Sequence, residues 1–95
     1  MFNPNARWDR HLPQDDSSAG DLISVSAVFK NSKVTPRWFI WKGKTYRIKE
    51  VTYRWQAKLG EETFCYFAVS DSVNTYQINL STKFLTWRLI KVCID

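Results

Sequence analysis

Histidine is almost missing from this chain. His11 is the only one among 95 residues, and no cysteine or carboxylate stands at metal-ligand spacing from it. Residues 22–95 therefore have no imidazole to move protons near neutral pH. Cysteine is scarce too. Cys65 lies in "TFCYFAV" and Cys93 in "KVCID", both apolar settings and neither a C-x-x-C pair. They read as small core residues, and free thiols of that kind fit a reducing, cytoplasmic setting. Three glycines are too few for a loop that cradles phosphates. No apolar stretch nears the ~20 residues needed to span a bilayer, and no apolar run leads to a cleavage signal. The carboxylates beyond residue 21 are Glu50, Glu61, Glu62, Asp71 and Asp95, mainly at turns or ends, and "SDS" at 70–72 reads as a turn. A soluble protein is expected, with no catalytic activity, no cofactor, no metal and no membrane partner.

Rings and positive charge are plentiful instead. Hydrophobic residues make up 44% and aromatics 16% of the chain, enough for a core without disulfides or metal. The net charge of +5 is unevenly placed. Residues 1–21 set two arginines against four aspartates, a net of −2, whereas residues 22–95 set twelve cations against five carboxylates, a net of +7. Such a balance favours polyanionic partners. Residues 1–21, with Pro4, Pro13, Gly20 and paired Ser and Asp, show no sustained periodicity and read as a flexible acidic arm. Phe2, Trp8 and Leu12 are its candidates for docking.

From Leu22 on, β-branched and aromatic runs alternate with turn signals. Six strands are expected, near 22–30, 37–42, 45–56, 62–70, 75–80 and 84–92, joined by "NSKVTP", "GK", "KLGE", "DSVN" and "STK". Short links imply hairpins. The fold class is all-β: a small antiparallel meander closed into a barrel of SH3-like or OB-like size, or a tight two-layer sandwich, over residues 22–95.

Parity assigns faces within the hairpin. A two-residue turn at Gly43-Lys44 pairs Trp41 with Tyr46 and Phe39 with Ile48, which puts four apolar side chains on one face. A slip of one residue scrambles both faces. The opposite face pairs Ile40 with Arg47 and Trp38 with Lys49, with Arg37 on the core side opposite Glu50. Apolar residues then move from even positions (Tyr46, Ile48) to odd ones (Val51, Tyr53, Trp55). A β-bulge at Lys49-Glu50 keeps both sets inside and turns Thr52, Arg54 and Gln56 outward. Tyr76, Ile78 and Leu80 alternate with Gln77 and Asn79 as in a half-exposed strand. Leu85, Trp87 and Leu89 form one phase before Ile90, Val92 and Ile94 take over. "TFCYFAV", apolar on both sides, reads as a central strand covered on each face.

The spacing Pro36-x-x-Phe39-x-Trp41-x-Gly43-x-x-Tyr46-x-Ile48-x-x-Val51-x-x-x-Trp55 resembles a family of small bacterial β-rich proteins of unknown function, often encoded near error-prone polymerase and DNA-repair genes. Tyr76-x-Ile78-x-Leu80 and Trp87-x-Leu89 fit the same pattern, so the resemblance covers roughly residues 36–92. It assigns no catalytic residues, and it implies a repair-linked or nucleic-acid-linked setting.

The candidate site is basic and aromatic: Trp38, Arg47, Lys49 and Arg54, with Lys42 and Lys44 at the hairpin tip. Nucleic-acid-binding β modules combine cations that neutralise phosphates with rings on which bases stack. A non-catalytic module binding DNA or RNA with little sequence preference is the leading expectation. The alternative is a protein-interaction or assembly module, since Trp, Tyr and Arg also anchor protein interfaces. The plain structural alternative has Trp38 and Ile40 packed beneath the first strand or the arm, leaving the cations as a solvated rim.

Overall fold

The computed structural model describes residues 20–94. Seven strands form one antiparallel sheet: β1 (Asp21–Lys30), β2 (Lys33–Trp41), β3 (Lys44–Arg47), β4 (Glu50–Leu59), β5 (Glu62–Ser70), β6 (Asn74–Ser81) and β7 (Trp87–Ile94). Their order is β3-β2-β1-β7-β6-β5-β4, and the sheet curls into a half-barrel. The all-β, barrel-like expectation holds. Residues 1–19 and 95, which include all but the last two residues of the expected 1–21 arm, with His11 and the arm's docking candidates, lie outside the described residues. β1 already begins at Asp21, whose Oδ2 accepts a 2.9 Å hydrogen bond from Trp41 Nε1. Just before it, Gly20 sits at φ +86° with the Leu89 carbonyl oxygen 2.5 Å from where a Cβ would stand, so only glycine fits there.

Six expected strands become seven because the 45–56 run turns a corner. Ile48 N–H donates to Arg37 O (2.9 Å) on β2, and Lys49 N–H donates to Ser70 O (2.8 Å) on β5. Two consecutive amides thus serve opposite margins of the sheet, and the chain itself joins them.

The hairpin turns differ in detail from the sequence reading. The first link is only Asn31-Ser32, at φ 54° and 62°, the pair of left-handed residues a type I′ turn requires. Lys33–Pro36 therefore belong to β2. Pro36, which has no N–H, is accommodated beside a bulge at Arg37, where Ser26 pairs with Trp38 and Ala27 with Pro36. Arg37 is exposed there and does not oppose Glu50, which pairs with Ser70. The second turn is Lys42-Gly43 (φ 52° and 76°), one position earlier than Gly43-Lys44. The pairs are Trp38↔Arg47, Phe39↔Tyr46, Ile40↔Thr45 and Trp41↔Lys44. This register differs from the expected one by two residues, so both faces keep their membership.

The core fills the concave side. Phe39 and Ile78 are wholly buried, with Phe67, Val69, Tyr76, Leu80 and Leu89 around them. Phe39 stacks on Tyr46 at 5.0 Å and meets the edge of Tyr76 at 5.3 Å, so the hairpin and β6 share one aromatic cluster.

β4 is where the parity reading fails. The bulge lies at Thr52, between Val51↔Val69 and Tyr53↔Ala68, and not at Lys49-Glu50. Val51 still points inward. Past the extra residue the phase inverts: Arg54 pairs with Phe67 and Gln56 with Cys65 on the concave side, while Tyr53 and Trp55 face outward. The outward Trp55 ring finds a partner in Tyr66 on β5, and the inward guanidinium finds the Phe67 ring. In β5, Phe67 and Val69 are buried inside, whereas Phe64, Tyr66 and Ala68 are half-buried outside. Gln77 and Asn79 point away from the core yet are buried, not half-exposed. On β7 a bulge at Ile90 produces the expected change of phase, with Leu89 buried and Val92 against the core. Leu85 lies in the preceding loop, 71% exposed.

Candidate binding surfaces

Trp38 and Ile40 stand on the convex side of β2, 40% and 43% exposed. β1 runs beside them in the same sheet, so it does not cover them. Arg47, and not Lys49 as the expected register has it, is Trp38's direct partner across the β2–β3 ladder, and Leu22 and Val28 lie on the same side of β1. Alternation along two short strands is sufficient to produce this arrangement. Lys49 is exposed at the corner between β3 and β4.

The other three candidate residues lie elsewhere. Lys42 and Lys44 are at the hairpin tip, but their ammonium groups sit over core-side rings, 5.0 Å from Trp41 and 5.4 Å from Tyr46. Arg54 was expected outward with Trp38. It faces the concave side instead, 5.6 Å from the Phe67 ring, with Nη1 donating to Val34 O at 2.7 Å. The structure thus joins Trp38 to Arg47, places Lys49 and the tip lysines near that hairpin, and separates Arg54 from it.

A second convex aromatic surface is absent from the sequence reading. Trp55 and Tyr66 are stacked at 5.1 Å and 8°, Tyr53 lies 5.4 Å from Trp55, and Phe64 lies 6.3 Å from Tyr66. Tyr53 is 66% exposed. Burial raises the Tyr66 hydroxyl above the ordinary tyrosine value, and the Asn79 side chain hydrogen-bonded to it acts in the opposite direction. The alternation "VTYRWQAKL" signals that Tyr53 and Trp55 share a face. Which face depends on the position of the bulge, and that is not local information.

Other polar groups hold turns. Asp71 accepts hydrogen bonds from Val73 N–H (2.9 Å), Asn74 N–H (2.8 Å) and the Tyr76 hydroxyl (2.8 Å). The Asn74 amide, above all, holds its carboxyl below the usual carboxylate value. Both cysteines are free; Cys65 is half-buried, but Cys93 is exposed because it points away from the core near the end of β7. Among the described residues no three His, Cys, Asp or Glu side chains cluster as metal ligands, and no helix is long and apolar enough to cross a membrane.

By architecture the described chain is an antiparallel half-barrel with aromatic and cationic side chains on its convex sheet. No protein-family model, curated protein or solved structure matches it.

Proposed function

We propose that this protein is a non-catalytic module that binds nucleic acid with little sequence preference. Trp38 offers a ring face for a base. Arg47 beside it, Lys49 at the corner and Lys42 and Lys44 at the tip neutralise phosphates. One observation carries this reading: a half-exposed tryptophan beside an arginine on an open sheet face, in a segment of net charge +7 over residues 22–95. Tyr53 and Trp55 add rings on the same convex side. The same proposal includes a cytoplasmic location and the repair-linked setting that the resemblance of residues 36–92 implies.

Binding measured against ionic strength tests it. Four phosphate contacts on a single strand give a slope of about −3 in log affinity against log salt. Arg47→Ala/Lys49→Ala should flatten that slope and leave the fold intact. Trp38→Ala should cost about 1–3 kcal/mol of binding, the contribution of one stacked base. Absence of binding to single-stranded DNA, duplex DNA and RNA at low salt would remove the proposal.

A second reading has one observation in its favour. Leu22, Val28, Trp38 and Ile40 are exposed on one sheet face, as at protein interfaces. Binding to a protein partner that is insensitive to salt and lost in Trp38→Ala/Ile40→Ser would favour that assembly role.

A further inference from the structure

The strand order leaves a seam. The sheet ends at β3 on one side and β4 on the other, and β3 flanks β2 only from Trp38 to Trp41. The first half of β2 therefore approaches β4 with no ladder between them, and the Arg54 bond to Val34 O crosses the opening. A cavity of about 270 Å³ lies there, with Lys33 and Val34 on one wall and Arg54, Gln56, Cys65 and Phe67 on the other. Its floor is apolar, since Phe67 is buried and Val34 is packed against the core. Its rim is cationic. Lys33 and Arg54 line it, and Lys58 follows Gln56 on the same side of β4. Of the neighbouring carboxylates, Glu62 is turned to the convex side, where it accepts a 2.5 Å hydrogen bond from Ser81 Oγ, and Glu61 sits in the β4–β5 turn.

We propose that this seam binds an extended acidic peptide carrying an apolar anchor side chain. The Lys33–Pro36 edge of β2 has no ladder partner on this side, which suits an extended backbone, as in recognition by strand addition. The volume falls below the ~300–1,000 Å³ usual for small-molecule sites and suits one anchoring side chain on the floor. Arg54 spends one of its five N–H donors on Val34 O, so the guanidinium keeps donors for a carboxylate. Nucleic acid is the poorer fit. Phe67 is buried beneath Arg54 and offers no open ring face, and although Trp55 and Tyr66 also border the cavity, their rings face the convex side and stack on each other. This site is independent of the Trp38 surface.

The test uses the full chain and a fluorescein-labelled peptide, Asp-Asp-Asp-Asp-Leu-Phe. Anisotropy should show salt-sensitive binding, with none for the matching peptide in which lysines replace the aspartates. Lys33→Gln/Arg54→Gln should weaken binding by about tenfold or more. Lys33→Gln/Lys58→Gln, which keeps the Arg54 bond to Val34, should also weaken it and guards against a merely unfolded first variant. Cys65 lines the cavity and Cys93 does not, so bound peptide should slow maleimide labelling of Cys65 and leave Cys93 unchanged. Equal binding of the lysine peptide, full affinity in both double variants, or Cys65 protection by oligo-dT and not by the acidic peptide would each overturn the proposal.

Discussion

Trp38 and Arg54 were read from the same kind of pattern, and the structure treats them oppositely. In the β2–β3 hairpin, parity places Phe39 and Tyr46 inside and Trp38 and Arg47 outside, and they are found so despite a two-residue change of register. In β4 the same logic puts Tyr53 and Trp55 inside and Arg54 outside, and all three are reversed. The hairpin carries its own reference, because a tight turn fixes which strand positions oppose each other. β4 enters from a corner and carries a bulge, so its phase is set by the strand it meets. Local alternation states who shares a face; only the partner states which face it is.

Substitutions can break that contrast or sharpen it. The largest effect is expected at Phe39, wholly buried between Tyr46 and Tyr76: Phe39→Ala should cost about 3–5 kcal/mol in urea unfolding. A loss below 1 kcal/mol would mean that the hairpin faces are assigned backwards. Trp55→Ala should cost less, about 1–3 kcal/mol, because its ring is half-buried and stacked on Tyr66 from outside the core. A cost equal to that of Phe39→Ala would return Trp55 to the interior.

Asp71 ties the two halves together, since the Tyr76 hydroxyl it holds belongs to a ring that touches both Phe39 and Tyr46. Its folded-state pKa is depressed below the unfolded value. That contribution is complete above the unfolded pKa and is lost as pH falls through the folded one. Wild type should therefore lose stability on acidification below about pH 4, and Asp71→Asn should show a flatter acid limb with a loss of about 1 kcal/mol at neutral pH. Parallel acid limbs would show that the turn does not depend on the charge. The smallest effect belongs to Trp38→Ala, expected to change stability by less than about 1 kcal/mol because much of the ring is already in water. Thermal melts of that variant beside Phe39→Ala compare two chain neighbours on opposite faces.

Several features were legible from residues alone. The all-β class followed from β-branched and aromatic runs broken by turn residues, and the hairpin faces from strict alternation. The change of phase on β7 was readable from Leu89, Ile90 and Val92. Others were not. "NSKVTP" has the composition of a loop, yet Asn31 and Ser32 suffice for the turn and a bulge at Arg37 makes room for Pro36. Gln77 and Asn79 are polar and still buried, with Asn79 reaching the Tyr66 hydroxyl on the next strand. Of the candidate site, the shared outer face of Trp38 and Arg47 was readable, whereas their direct pairing, the removal of Arg54 to the seam and the stack of Trp55 on Tyr66 were not.

The sequence by itself determined the class of secondary structure, the existence of a ring-rich core and the sharing of faces within each strand, because these depend on backbone preference and a two-residue period. The tertiary structure decided where the ladder gains a residue, which strands become margins and which cations reach water. A bulge costs little in either of two neighbouring positions, and the choice falls to partners distant in the chain: the Phe67 ring and the Val34 carbonyl on one side of β4, and Tyr66 on the other.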